Sequence, residues 1–202
     1  MYAYTLIRGA KVYQPKYLGR TDILIFDNKI IKIGNSLEKY KDLFDIRTII
    51  DASGKIVVPG FIDSHIHFTG GGGAGYIANR CPEVPFEEII KAGVTTAIGH
   101  LGIDCITKNL EGLLGKAQKL EAEGISAYIL AGGYHQDRLS ITGSPMKDIV
   151  FLDKIIGTGE IAISENRAIE PNAEQLKKII SESYVGGLLG EKSGVTVIHL
   201  GS

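Results

Sequence analysis

His65-Ile66-His67 sets two imidazoles two residues apart at the end of an apolar run, Phe61 to His67. If that run is a strand, alternate side chains share a face and the rings stand about 7 Å apart on the same side. One metal ion can take both. Two histidines on a half-buried strand can equally be hydrogen-bonded core residues, so the pair alone leaves the metal open. Gly70 to Gly75 follows and fits the letters G-x-G-x-x-G. A dinucleotide site also needs a helix at once and an acid about 20 residues on, so a flexible loop that lets backbone approach a substrate is the better reading. Cys81 and Cys105 lack C-x-x-C spacing and signal neither a disulfide framework nor a thiolate zinc site.

These residues must be positioned by strands and helices, and the pattern supplies both. Residues 1 to about 58 read as short strands with turns: Tyr4 to Arg8, Lys11 to Tyr13, Asp22 to Phe26, Ile30 to Ile33 and Ile46 to Ile50, with a short helix within Ser36 to Phe44. From residue 59, apolar strands alternate with helices, as in βαβ units. The strands are Phe61 to His67, Val94 to Gly99, Ser126 to Ala131, Ile156 to Ala162 and Val195 to Leu200. Pro85 to Lys91, Lys108 to Glu123, Lys147 to Lys154 and Ala173 to Tyr184 carry helix formers, and Gly93, Gly124 and Gly194 stand as helix stops. Periodicity does not choose between a barrel and an open doubly wound sheet.

Composition narrows the function classes. The 202 residues are 44% hydrophobic and 22% charged, with a net charge of -1 from interspersed residues, the profile of a globular protein with no electrostatic footprint for nucleic acid or a membrane. No apolar stretch approaches the roughly 20 residues of a membrane span, and the first residues lack a signal peptide's regions, so a cytoplasmic protein is expected.

The run from Asp51 through Val58-Pro59-Gly60-Phe61-Ile62-Asp63-Ser64-His65-Ile66-His67 resembles the signature at the domain junction of the amidohydrolase superfamily. Asp22 to Gly34 resembles the same superfamily's N-terminal β segment. Gly70-Gly71-Gly72-Gly73, Ala92 to Thr96, Tyr134-His135, Ile141 to Ser144, Ala162-Ile163-Ser164 with Arg167, and Val185 to Leu189 are similar to isoaspartyl dipeptidases in particular. The resemblance implies a partial (β/α) TIM-type barrel of about five units over residues 59–202, preceded by a small β-sandwich-like domain over 1–58. It implies two divalent ions, zinc by expectation, with His65 and His67 on the first and His199 on the second. His199 also ends a strand, where barrel enzymes keep catalytic groups. The bridging ligand of the family is often a carboxylated lysine, and Glu160 stands there instead. Glutamate too offers two anionic oxygens, and a charge inside an apolar strand is costly to bury without a cation.

Tyr134 resembles the family's oxyanion donor and Arg167 its partner for a substrate carboxylate, while Gly72, Gly73, Ala74 and Ile103 fall at substrate-binding positions. Two depart from the pattern: Ala74 replaces the acid that pairs with a free amine, and Ile103 replaces a threonine; Glu83 is a candidate to compensate. The expected activity is metal-dependent hydrolysis of an isoaspartyl dipeptide or other N-acyl amino acid. A dihydroorotase-like or aminoacylase-like amidohydrolase, or a truncated non-catalytic fragment, stays open. An eight-unit barrel takes about 250 residues, so a longer protein, a homo-oligomer or a complementing C-terminal chain is expected to supply the missing strands.

Overall fold

The computed structural model describes residues 3–135 and 140–201, and the chain forms two compact units, Met1–Pro59 and Gly60–Ser202. In the first unit β1 (Tyr4–Gln14) pairs antiparallel with β2 (Lys16–Phe26), and β2 pairs antiparallel with β3 (Lys29–Gly34). Both β4 (Ile46–Asp51) and β5 (Ile56–Val57) run parallel to β1, completing a five-stranded mixed sheet. The expected strands Tyr4 to Arg8 and Lys11 to Tyr13 are one strand. A register shift between Ile7 and Ala10 falls at Gly9, whose φ of 72° lets the strand bulge and continue. The expected helix contracts to a 3₁₀ turn, Leu37–Tyr40, held where Asp22 accepts from the Leu37 amide at 2.9 Å. Leu37 packs there with Leu6 and Leu24, which face each other across β1 and β2.

The second unit alternates β6 (Phe61–Ile66), α1 (Phe86–Lys91), β7 (Val94–Gly99), α2 (Leu110–Glu123), β8 (Ser126–Ala131), α3 (Pro145–Phe151), β9 (Ile155–Ala162), α4 (Ala173–Gly190) and β10 (Val195–His199). All neighbouring strands are parallel, in the order β10-β9-β8-β7-β6. This settles the choice that periodicity left open. A doubly wound sheet reverses its order at a switch point, whereas strands that follow one another in space as in sequence make a curled, singly wound partial barrel. Its core is aliphatic, with Ala97, Leu113, Leu120, Ile129, Ile149 and Ile155 fully buried between sheet and helices.

Helix ends follow local chemistry. Asn109 accepts from the Gly112 amide at the start of α2, and Asn172 with Gln175 forms a reciprocal capping box on α4. Two expectations are corrected. α4 runs past Tyr184 to Gly190, with Glu191 as its left-handed cap, so Gly194 is not its stop. Gly186 and Gly187 stay helical because their missing side chains admit neighbours: a Cβ on Gly186 would lie 3.1 Å from Met146 and Ile149, and one on Gly187 would lie 2.6 Å from Gly194. Likewise α3 starts at Pro145, capped by Ser144, earlier than the expected Lys147. Among the described residues no helix is long and apolar enough to cross a membrane.

Candidate metal centre

Parallel strands deliver their carboxyl ends to one rim, and each strand of the second unit brings a polar ring or carboxylate there. His65 lies in β6 with His67 just beyond it, His100 follows β7, Tyr134 follows β8, Glu160 sits near the end of β9, and His199 ends β10. The rings of His65 and His67 are 5.3 Å apart, edge to face. His65, His67 and Glu160 each offer a ligand atom, all within 4.8 Å of one another.

Glu160 divides its oxygens between two histidines. Oε2 lies 3.3 Å from His65 Nε2, and Oε1 accepts from His199 Nδ1 at 2.7 Å. Its side chain is 6% exposed. A carboxylate so withdrawn from water needs positive charge near it, and two imidazoles with a carboxylate form a donor set suited to zinc and neighbouring divalent ions. The residues therefore fit a metal. His67 Nδ1 lies 3.1 Å from the carbonyl of His100, so that nitrogen carries the proton and Nε2 keeps its lone pair. Gly102, at φ 79°, lets the His67 ring come close: a Cβ there would sit 2.9 Å from Cε1.

Beside this cluster lies a cavity of about 140 Å³ lined by His67, Glu160, Tyr134, Arg167, Ile103 and Gly72, among others. Gly73 and Ala74, expected with Gly72, do not line it. The Tyr134 hydroxyl stands 3.1 Å from both ring nitrogens of His199; burial and then the Glu160 carboxylate push it up to about 12, so it remains a phenol at neutral pH. Arg167 is held by an acid the sequence reading did not single out. Its Nε and Nη2 donate to Glu165 at 2.8 and 2.5 Å, which holds Glu165 at about 2 despite burial and raises the guanidinium. Glu165 Oε2 also lies 3.6 Å from His199.

Asp104 is a second acid missed in the sequence. It accepts from Arg80 Nη1 at 2.7 Å, from the amides of Thr107 and Ile106, and from the Thr107 hydroxyl. It thereby anchors the glycine loop, because Arg80 bridges to Gly72. That loop is folded upon itself: the Gly73 amide donates to Asn79 and the Cys81 amide to Gly71. A Cβ on Gly70 would meet the Cys81 and Pro82 carbonyls at 2.3 and 2.5 Å, so glycine serves the loop's own packing there rather than open flexibility. Glu83 pairs with Lys116 at 2.9 Å and does not line the cavity, which removes it as the compensating acid.

Residues 48–100 match the amidohydrolase family. The fold superposes on the β-aspartyl dipeptidase of Fervidobacterium islandicum AW-1 with a TM-score of 0.94 and 42% identity, over 98% of this chain and 54% of that one. This chain belongs to the amidohydrolase superfamily. A structure of the Fervidobacterium enzyme with a β-Asp-Leu dipeptide is similar too, at TM-score 0.91 and 41% identity, over 99% of this amidohydrolase chain and 52% of that one. A dihydroorotase of Caldicellulosiruptor saccharolyticus is 30% identical over 184 residues, 87% of this chain and 38% of the relative. The amidohydrolase chain thus spans about half the length of the dipeptidase structures and less of the dihydroorotase. An L-hydantoinase from Arthrobacter aurescens, at 19% identity and TM-score 0.64, shares the fold.

Proposed function

We propose that this chain carries metal ligands of a dinuclear amidohydrolase that cleaves a β-aspartyl dipeptide or a related N-acylated amino acid. The observation that carries the reading is the convergence of His65 and His67, from the end of β6, with Glu160 of β9, their ligand atoms within 4.8 Å of one another. His65 and His67 would hold one divalent ion, zinc by donor chemistry, His199 the other, and Glu160 would bridge them. The split of the Glu160 oxygens between His65 and His199 supports that bridge. When bound, such ions supply the charge that polarises an amide carbonyl and lowers the pKa of water.

The chain's own groups do the rest. Tyr134, kept protonated by its raised pKa, donates a hydrogen bond to the oxygen that gains charge as the amide is attacked. Arg167 offers a substrate carboxylate the Nη1 edge that Glu165 leaves over. Gly72 and Ile103 form walls of the cavity. The β-Asp-Leu dipeptide in the Fervidobacterium structure supports this substrate class.

A second reading, a cyclic or amine-blocked amide as substrate, is favoured by the acids along the cavity. Asp104 is taken by Arg80 and Thr107, and Glu160 by two histidines, while Ala74 brings no charge, so among the described residues no lining carboxylate stands ready for an ammonium group. Metal analysis tests the common core. The chain should retain zinc after dialysis and the Glu160→Ala variant should release it; equal metal in both would overturn the assignment. Turnover of β-Asp-Leu against dihydroorotate then separates the two substrates.

A further inference from the structure

Of the five strands whose ends build the rim, β7 is the one whose contribution, His100, has no part in the reading above. Its contacts are concentrated on the ligand-bearing segment. The His100 amide donates to the Ile66 carbonyl at 2.9 Å, its carbonyl accepts from His67 Nδ1 at 3.1 Å, and its Nε2 donates to the Ser64 carbonyl at 3.0 Å. Its ring lies flat on the ring of His65, with centroids 4.0 Å apart and planes inclined by 12°. One residue therefore touches Ser64, His65, Ile66 and His67 in succession.

The side chain is fully buried, yet Nδ1 has no hydrogen-bond partner. An imidazole kept at the cost of an unsatisfied nitrogen is not explained by hydrogen bonding alone, since the Ser64 contact needs only one donor. What the ring adds is a flat face. A face at van der Waals distance from His65 removes the freedom of that ring to turn about its side-chain bonds, leaving its Nε2 directed at Glu160.

We infer that His100 is a positioning residue of the metal centre, its ring fixing the plane of His65 and its main-chain carbonyl fixing the tautomer of His67. The inference rests on the proposal that His65 and His67 hold metal. It is tested with Co²⁺ binding to the full chain, measured by competition with a chromophoric chelator, alongside the thermal midpoint of each metal-free protein. His100→Leu removes the face and the donor, His100→Gln keeps a donor for Ser64, and His100→Phe keeps the face. The expected result is a loss of roughly 10- to 100-fold in Co²⁺ affinity for the Leu and Gln variants, the usual cost of removing support behind a metal ligand. Phe should recover most of that loss, whatever its thermal midpoint. Wild-type affinity in the Leu and Gln variants would overturn the inference, as would Gln binding Co²⁺ as tightly as Phe. If the Leu variant does not fold, the comparison of Gln with Phe decides alone. A wild-type chain that binds no Co²⁺ would sink the metal reading itself, a different outcome from intact binding that ignores position 100.

Discussion

Replacing Asp104 by Asn should cost stability in a pH-dependent way that follows from its surroundings. The side chain is 4% exposed, and burial alone would push its carboxyl up. The Thr107 hydroxyl and amide, then Arg80, outweigh burial and hold it at about 2, against an ordinary value of 3.8. A carboxylate with a lowered folded-state pKa stabilises the fold above its unfolded pKa, and that contribution is lost as pH falls through the folded value. At about 1.4 kcal/mol per pKa unit the charge contributes roughly 2 kcal/mol at neutral pH. Arg80 is 33% exposed and partly screened by water, so roughly 1 to 2 kcal/mol is the expected loss in Asp104→Asn. Urea denaturation of both proteins at pH 7 and pH 3 measures it. The difference between them should fall to roughly half at pH 3, and subtracting the variant removes the titration of all other carboxylates. Because Arg80 ties the glycine loop through its bridge to Gly72, limited proteolysis should also cut the variant faster between residues 70 and 80. Equal stability at pH 7, or a difference unchanged between the two pH values, would refute the reasoning.

Other substitutions probe other levels of the structure. Gly102→Ala places a Cβ 2.9 Å from His67 Cε1 at a φ of 79°, and should lower metal affinity about tenfold; unchanged Co²⁺ binding would show that His67 can move away freely. Asn172→Ala removes the capping box of α4 and should cost about 1 kcal/mol in thermal denaturation while leaving metal binding intact. Ala74→Glu should raise the ratio of specificity constants for free-amine over N-acetylated β-aspartyl substrates; an unchanged ratio would mean that amine recognition lies elsewhere.

What could be read in the sequence was whatever depends on near neighbours along the chain. Short apolar runs that follow Gly93 and Gly124 located β7 and β8, and because strand side chains two apart share a face, spacing put His65 and His67 on one side. Glycines at 93 and 124 marked helix ends through their own backbone freedom. The resemblance carried Glu160 and His199, which lie 39 positions apart and which no periodicity connects.

Tertiary structure decided the rest, because it turns on which distant segments meet. Local pattern reads Gly186-Gly187 as a break, whereas packing against Met146, Ile149 and Gly194 makes those glycines the condition for a longer helix. Strand order is a property of pairing between segments, so the sheet rather than the alternation distinguished a singly wound arrangement from a doubly wound one. The partners of charged groups follow the same rule. Asp104 meets Arg80 from 24 positions away, and His100 meets the ligand segment from 33 and more, so their roles have no signature in spacing. Even for Glu165 and Arg167, two residues apart, only the turn after β9 folds the arginine back to take the acid on its Nε and Nη2 edge.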